Sequence, residues 1–123
     1  MIPSFAVERT QEMIYLLHLL KDEDLLPNHK ICLDSPMGIK STLVFDKYPE
    51  MQDISKHNSD RMYDAVEYIE TYEESKAVVA DKKPKIIIAG SGMLEGGRIL
   101  HYLANHGGDP KNTILFVGFQ AAG

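Results

Sequence analysis

The feature that most constrains the fold is the run Lys85–Ala89, KIIIA, which is followed at once by the glycine-rich segment Gly90–Gly97, GSGMLEGG. An apolar run without polar alternation is typical of a strand that is buried on both faces of a parallel sheet. The next segment, Arg98–His106, carries apolar residues at helical spacing. We therefore predict a strand, a tight loop and a helix in succession, the unit from which α/β sheets are built.

Strand and helix patterns alternate along the rest of the chain. The predicted elements are a strand at Ile2–Phe5, a helix with one apolar stripe of Met13, Leu16, Leu17 and Leu20, a strand at Lys30–Asp34, a helix at Ile39–Tyr48, a surface loop at Glu50–Asp60, a long helix that is capped by Ser59-Asp60 and contains Met62–Tyr72, and a last buried strand within Asn112–Phe119. This order predicts an α/β three-layer sandwich with a mostly parallel, Rossmann-like sheet of about four strands flanked by helices.

The length of 123 residues fits one domain with one core, and 44% hydrophobic residues is an ordinary globular share. The pattern begins inside one core strand and stops directly after another, so we expect the chain to be a piece of a larger protein. Cys32 is the single cysteine, so no internal disulfide can form, and a reducing cytoplasm is the expected compartment. No apolar run has the length of a membrane span and no signal peptide is visible, so we expect no membrane partner.

The net charge of -5 argues against a domain that binds nucleic acid over a broad basic surface. A local site of backbone N–H groups and one or two arginines remains compatible with it. Gly90–Gly97 is a candidate for such a site, because the N-terminus of the following helix attracts anions and Arg98 could add a charged donor. The alternative is a tight strand-to-helix turn that binds nothing.

A dinucleotide site is a second alternative for this loop. Gly90-x-Gly92-x-x-x-Gly96 approximates the GxGxxG fingerprint but does not match it. The fingerprint also expects an acidic residue after the next strand, where this chain has Gly118-Phe119-Gln120. The sequence therefore disfavours nicotinamide binding.

Two further strand-to-helix junctions carry polar residues. Asp34 precedes the loop Ser35-Pro36-Met37-Gly38 and is a metal ligand, a base or an N-cap carboxylate, of which we favour the cap. Ser4 and Arg9 lie at the first junction, where Arg9 either reaches the sheet edge or pairs with a glutamate such as Glu12. The five histidines form no zinc-type spacing and no nucleophile elbow is present, so no catalytic residue is visible.

The three junctions together carry a family resemblance. IPSFAVERTQEMIYLL at Ile2–Leu17, LDSPMGIKSTLVF at Leu33–Phe45 and KIIIAGSGMLEGGRILHYL with NTILFVGFQAAG in Lys85–Gly123 resemble the β-CASP insert of metallo-β-lactamase-fold RNA nucleases. The resemblance covers nearly the whole chain, in the family's order, and is weakest over Glu50–Lys83. It identifies residues 1–123 as a cap domain cut from a larger nuclease.

The resemblance implies a parent in which a metallo-β-lactamase domain holds two zinc ions and a metal-bound water attacks the RNA phosphodiester. The β-CASP domain caps that site, and RNA enters between the two domains. On this basis the residues expected to hold RNA phosphates are Ser4, Arg9, Ser35, Lys40, Ser91, Gly92, Met93, Gly96, Gly97 and Arg98.

The chain departs from the complete enzyme, because the family's HxHxDH motif and its later histidine motifs are not in this sequence. We therefore assign no catalytic residue and no metal ligand here, and Asp34 is not made one. The expected partners are RNA and the metallo-β-lactamase domain of the same parent, with self-association through the exposed docking face. The alternatives are a stand-alone Rossmann-like domain for a nucleotide or phosphate ligand, and a non-catalytic scaffold module.

Overall fold

The computed structural model describes residues 1–51 and 56–122. Its elements are β1 (Ile2–Pro3), α1 (Arg9–Asp22), β2 (Lys30–Asp34), α2 (Pro36–Lys47), a 3₁₀ turn (Pro49–Met51), α3 (Lys56–Asp64), β3 (Val66–Tyr68), α4 (Tyr72–Ala80), β4 (Lys85–Ala89) and α5 (Ile99–His106).

The four strands form one parallel sheet in the order β1-β4-β2-β3. Each residue of β2 from Lys30 to Asp34 pairs with the corresponding residue of β4 from Lys85 to Ala89. The α/β fold and the parallel sheet predicted from the sequence are therefore confirmed. All carboxyl ends of a parallel sheet lie at one edge, and this places the three strand-to-helix junctions side by side.

The sheet is buried on both faces, as the apolar runs predict. Alternate residues of β2 and β4 enter different cores: Leu33 and Ile88 pack with the helices α1, α2 and α3. Cys32 and Ile87 pack on the opposite face with α4 and α5. The result is the predicted three-layer arrangement.

The apolar stripe of α1 differs from the predicted one. Met13 and Leu17 are buried as expected, whereas Leu16 is 43% and Leu20 38% exposed. The buried stripe instead includes polar groups at helical spacing, since Thr10, Gln11, Ile14 and His18 complete it. The prediction missed this because Thr10 and Gln11 make hydrogen bonds inside the protein, which hydrophobicity alone does not detect.

Helix α2 begins earlier than the predicted residue Ile39. The Ser35 hydroxyl accepts a hydrogen bond from the Gly38 N–H at 3.2 Å, and Pro36 occupies the first helical position. Ser35 is thus the N-cap, and proline at the next position fits a helix start because its missing N–H has no partner there anyway.

The stretch between α2 and β4 was predicted wrongly. The surface loop predicted at Glu50–Asp60 contains the 3₁₀ turn and the start of α3 at Lys56, while residues 52–55 lie outside the described part of the chain. Ser59 is consequently a buried residue within α3 and not an N-cap. The long helix predicted through Met62–Tyr72 is interrupted by β3 and restarts at Tyr72.

That restart has a local cause that the sequence contains. The Thr71 hydroxyl accepts from the Glu74 N–H at 3.1 Å, and the Glu74 carboxylate accepts from the Thr71 N–H at 2.9 Å. This reciprocal capping box defines the first turn of α4. The short strand β3 precedes α4 and is the fourth strand of the sheet. The prediction had assigned that fourth strand to the C-terminal segment.

The strand predicted within Asn112–Phe119 is absent from the described residues. This segment runs beside β1 and makes two backbone hydrogen bonds there, from the Met1 amino group to Thr113 O at 2.7 Å and from Leu115 N–H to Met1 O at 2.9 Å. Because β1 has only two residues, the pairing does not extend into a longer ladder. Leu115, Phe116 and Phe119 are correspondingly exposed, at 47%, 50% and 74%, and not buried as predicted.

Candidate functional site

A cleft of about 460 Å³ opens at the carboxyl edge of the sheet. It lies where β1, β2 and β4 end, the position at which open α/β sheets bind ligands. Its lining residues come from all three strand-to-helix junctions: Ser4, Phe5, Ala6, Asp34, Ser35, Pro36, Met37, Gly90, Ser91, Gly92, Gly97 and Arg98.

The glycine-rich loop closes on itself through its backbone. The Ser91 N–H donates to Gly96 O at 3.1 Å, and the Ile99 N–H donates to Gly90 O at 3.0 Å. Gly97 has φ +78°, and a Cβ atom there would lie 2.3 Å from Gly90 O. Only glycine fits this position, because a side chain meets both a backbone clash and an unfavourable φ. The loop therefore fixes the backbone position from which Arg98 reaches the cleft.

Asp34 is the centre of a buried polar cluster under the cleft. Its side chain is fully buried. Its carboxylate accepts hydrogen bonds from Arg98 Nη1 at 2.6 Å, Ser75 Oγ at 2.5 Å and Tyr102 OH at 2.6 Å. These partners come from α4, from the residue before α5 and from α5 itself. The N-cap role predicted for Asp34 is wrong, since Ser35 caps α2 and Asp34 holds the cluster together.

Tyr102 is a donor in this cluster under all ordinary conditions. Burial, followed by the hydrogen bond to Asp34 and the negative charge of that carboxylate, raises the pKa of Tyr102 far above its usual range. The phenol therefore stays protonated and keeps donating to Asp34. Buried charges need partners of this kind, because an unpaired buried carboxylate is costly.

The Arg98 guanidinium is held by three acceptors. Nη1 donates to Asp34 Oδ1 and to Ile69 O at 2.9 Å, and Nη2 donates to Glu70 O at 2.9 Å. A guanidinium has five N–H donors, so two remain without an acceptor among the described residues. Its side chain is 17% exposed, at the wall of the cleft. Arg98 thus joins the ends of β2 and β3 to α5 and still has donors available.

Three serine hydroxyls surround the same space. Ser4 accepts from the Thr10 hydroxyl at 3.1 Å, and Ser35 accepts from the Gly38 N–H. The Ser91 hydroxyl oxygen is buried and has no hydrogen-bond partner among the described residues. An unsatisfied buried hydroxyl costs about 1–3 kcal/mol, so Ser91 is a polar group beside the cleft whose hydrogen bond the described residues do not supply.

The cleft brings together six of the residues predicted from the sequence: Ser4, Ser35, Ser91, Gly92, Gly97 and Arg98. The four others, Arg9, Lys40, Met93 and Gly96, are not among its lining residues. Arg9 forms an ion pair with Glu12, the alternative given for it above. Lys40 is exposed on α2.

Sequence reasoning missed Phe5 and Gln120. The Phe5 ring packs closely against Gly92 and Gly118, where added Cβ atoms would meet it at 2.9 Å and 3.2 Å. The Gln120 Nε2 donates to Gly92 O at 2.8 Å, which ties the C-terminal segment to the loop. Both contacts join residues that are far apart in sequence, so they depend on the fold and no local pattern signals them.

Neither a metal centre nor a membrane span appears in the part of the chain that the structure describes. No three histidine, cysteine, aspartate or glutamate side chains gather there in a way that would hold a metal ion. None of the described helices has the length and apolar character needed to cross a bilayer.

Comparison with known proteins gives one consistent set of relatives. A family model described as the Beta-Casp domain matches residues 10–123. A ribonuclease of Thermus thermophilus is 40% identical over 133 aligned residues, which cover 100% of this chain and 30% of the ribonuclease. The transcription termination factor FttA of Methanosarcina mazei is 30% identical over 99% of this chain. FttA of Methanocaldococcus jannaschii is 32% identical over 100% of this chain. In both cases the match covers 20% of the factor. The chain therefore spans less than a third of the length of each of these relatives.

Proposed function

The chain belongs to the β-CASP domain family, and from this premise we propose that it is the RNA-positioning cap of a larger zinc-dependent ribonuclease that acts in RNA processing. The similarity to the Thermus ribonuclease over the whole chain supports a nuclease parent. The cap's own part in the reaction is to bind and orient RNA phosphates.

The observation that carries this proposal is the cleft at the carboxyl edge of the sheet. Its lining includes Ser91, whose buried hydroxyl has no partner among the described residues, and Arg98, which has two N–H donors without an acceptor there; it has no exposed carboxylate, since Asp34 is fully buried. Phosphate oxygens accept hydrogen bonds from hydroxyl, backbone N–H and guanidinium groups of this kind. The other four predicted residues, Arg9, Lys40, Met93 and Gly96, do not line the cleft, and their contact with RNA stays a prediction.

The zinc ions of the proposed parent belong to its metallo-β-lactamase domain. When bound there, zinc supplies a water activated for attack on the phosphodiester. The described residues of this chain offer no matching ligand set, and the role that we assign to this chain is to hold RNA. We expect that this chain alone neither binds zinc stoichiometrically nor cleaves RNA.

The docking face of the cap is proposed to include the C-terminal segment. Leu115, Phe116 and Phe119 expose apolar side chains close together in sequence. Exposed large apolar side chains, where they are contiguous, are typical of a surface that packs against another domain. We therefore expect the isolated chain to self-associate, with a concentration-dependent sedimentation coefficient that Phe119→Ser reduces.

The decisive variant for RNA binding is Ser91→Ala in the full-length parent. Removing a hydroxyl that has no protein partner should leave the melting temperature unchanged or slightly raised and should weaken binding of single-stranded RNA several-fold. Ser59→Ala is the matched control, because its hydroxyl is also buried and unpartnered but lies on α3, away from the cleft. Equal RNA affinities of the two variants and the wild type would reject the cleft as the RNA site.

A role in transcription termination is a second candidate, favoured by the FttA relatives. The cap would hold RNA in the same way in either role. The two are separated by comparing cleavage of free RNA with release of RNA from a stalled RNA polymerase, because a termination factor should act in the second assay and a processing nuclease in the first.

A further inference from the structure

We propose that Asp34 is an internal counter-ion for Arg98, and that it sets both the position and the effective charge with which the cleft meets RNA. This inference rests on the proposed function. It assigns a positioning role to Asp34, a residue that cannot touch RNA because it is fully buried.

The charge count of the cleft supports this role. Among the described lining residues, Asp34 and Arg98 are the charged ones, and their side chains are in contact at 2.6 Å. The pair is formally neutral, so its two charges largely cancel at distances much greater than their separation. At short range the two remaining N–H groups of Arg98 still act as donors. The cleft therefore recognises phosphate by hydrogen bonding more than by net charge.

Every hydrogen-bond partner that the described residues give the Asp34 carboxylate is a donor. Arg98 donates to Oδ1, while the hydroxyls of Ser75 and Tyr102 both donate to Oδ2. Three donors, one of them the Arg98 guanidinium, therefore hold this carboxylate in place against the cation. The negative charge is thus a fixed part of the site, placed directly behind the cation.

The neutral pair also accounts for RNA binding by an acidic chain. A net charge of -5 repels RNA at long range. Donors held in place by the protein gain their hydrogen bonds without the loss of side-chain freedom that a surface lysine or arginine undergoes. The consequence is a weak dependence of this contact on salt, since salt acts on released counter-ions.

The test is a salt titration of RNA binding by the full-length parent, with a labelled single-stranded oligouridine and a chelator present to prevent cleavage. Asp34→Asn keeps the shape of the side chain and removes its charge. We expect tighter binding at low salt and a slope of log K against log salt that is steeper by up to about 0.7, the value for one additional phosphate contact on a single strand. Tyr102→Phe is the matched control, because it removes one hydrogen bond to the same carboxylate without changing a charge, and its slope should equal that of the wild type.

A double variant, Asp34→Asn with Arg98→Gln, keeps the test valid if the single variant does not fold. Replacing both partners of a buried pair is tolerated better than removing one. Its slope should equal the wild-type slope, and a slope shallower by about 0.7 would show Arg98 acting as a free charge and overturn the inference. An unchanged slope in folded Asp34→Asn overturns it as well.

Failure of the proposed function can be distinguished from failure of the counter-ion role. If Ser91→Ala leaves RNA affinity unchanged in the same titration, the cleft is not the RNA site and both proposals fall. If Ser91→Ala weakens binding while folded Asp34→Asn keeps the wild-type slope, or while the slope of the double variant is shallower by about 0.7, only the counter-ion role is rejected.

Discussion

The side-chain amide of Gln120 donates to the carbonyl oxygen of Gly92 at 2.8 Å, across 28 positions of sequence. Through this contact the C-terminal segment fixes the Gly92–Met93 peptide of the glycine-rich loop. The carbonyl and the next N–H point in opposite directions in a trans peptide. Gln120 therefore also fixes the direction of the Met93 N–H, which donates to no described backbone group.

We predict that Gln120→Ala in the full-length parent weakens RNA binding several-fold while it lowers the free energy of unfolding by about 1 kcal/mol, the value of one neutral hydrogen bond. Gln120→Glu should weaken binding more, because it places a carboxylate oxygen against the Gly92 carbonyl. Fluorescence anisotropy with labelled RNA and thermal melting measure the two effects. Unchanged affinity in both variants would remove Gln120 from the site.

Gly97 supplies a prediction about folding. Its φ of +78° and the 2.3 Å approach of an added Cβ to Gly90 O exclude a side chain. Gly97→Ala should lower the free energy of unfolding by about 2 kcal/mol or more, because strained backbone and a clash act together. Gly108→Ala is the control, since nothing lies within 4 Å of its added Cβ. Denaturant unfolding measures both, and similar stabilities would contradict the loop geometry.

Glu8 occupies a strained turn at the first junction. It has φ 67° and ψ -64°, and the Arg9 N–H donates to Val7 O at 2.9 Å across it. These are the features of a classical γ-turn, which is rare and strained for a residue with a side chain. Glu8→Gly should raise the free energy of unfolding by about 1 kcal/mol, because the strain relieved exceeds the entropy that glycine loses.

The matched control for this turn is Glu8→Ala, which removes the carboxylate and keeps the Cβ atom. Its stability should stay close to that of the wild type. If Glu8→Ala raised the free energy of unfolding as much as Glu8→Gly, the effect would come from the charge of Glu8 and not from its backbone conformation.

Glu74 supplies a prediction about how stability depends on pH in the acid range. Backbone N–H groups of Thr71 and Glu70 donate to its carboxylate, and these hydrogen bonds lower its pKa below the ordinary value of 4.5. A carboxylate with a lowered folded-state pKa stabilises the fold above the unfolded-state value. That contribution is lost as the pH falls below about 4.5 through the folded-state pKa.

Glu74→Gln should therefore reduce stability at neutral pH and flatten the decline of stability between neutral and acid pH. Glu73→Gln is the matched control, because Glu73 lies in the same first turn and has no capping bond to the described residues. Melting temperatures over a pH series measure the effect. Parallel profiles for Glu74→Gln and wild type would contradict the assigned cap.

Much of the fold was predictable because its strongest signals are local. The apolar run of β4 and the glycines after it identify the central strand and the loop, and the run at Lys30–Asp34 gives β2 with its observed bounds. β3 escaped prediction because Val66 and Ile69 also fit helical spacing with Met62. The capping box at Thr71 was the available signal that the helix restarts there.

The site was predictable only in outline. The parallel sheet brings Ser4, Ser35 and Ser91 to one edge, and this follows from the element order alone. The cluster around Asp34 does not follow, because Ser75 and Tyr102 lie 41 and 68 positions away and no local pattern links them. The direction of Arg98 depends on this cluster, which is why sequence reasoning could place the residue in the cleft without its partner.

The central claim, that RNA lies in the cleft at the carboxyl edge, is tested most directly by photo-crosslinking. RNA that contains 4-thiouridine is irradiated on the full-length parent, and the linked peptides are identified by mass spectrometry. We predict crosslinks at Phe5 and within Ser91–Arg98, which line or border the cleft. Crosslinks confined to the groove between α4 and α5, around Tyr72 and His101, would contradict the claim.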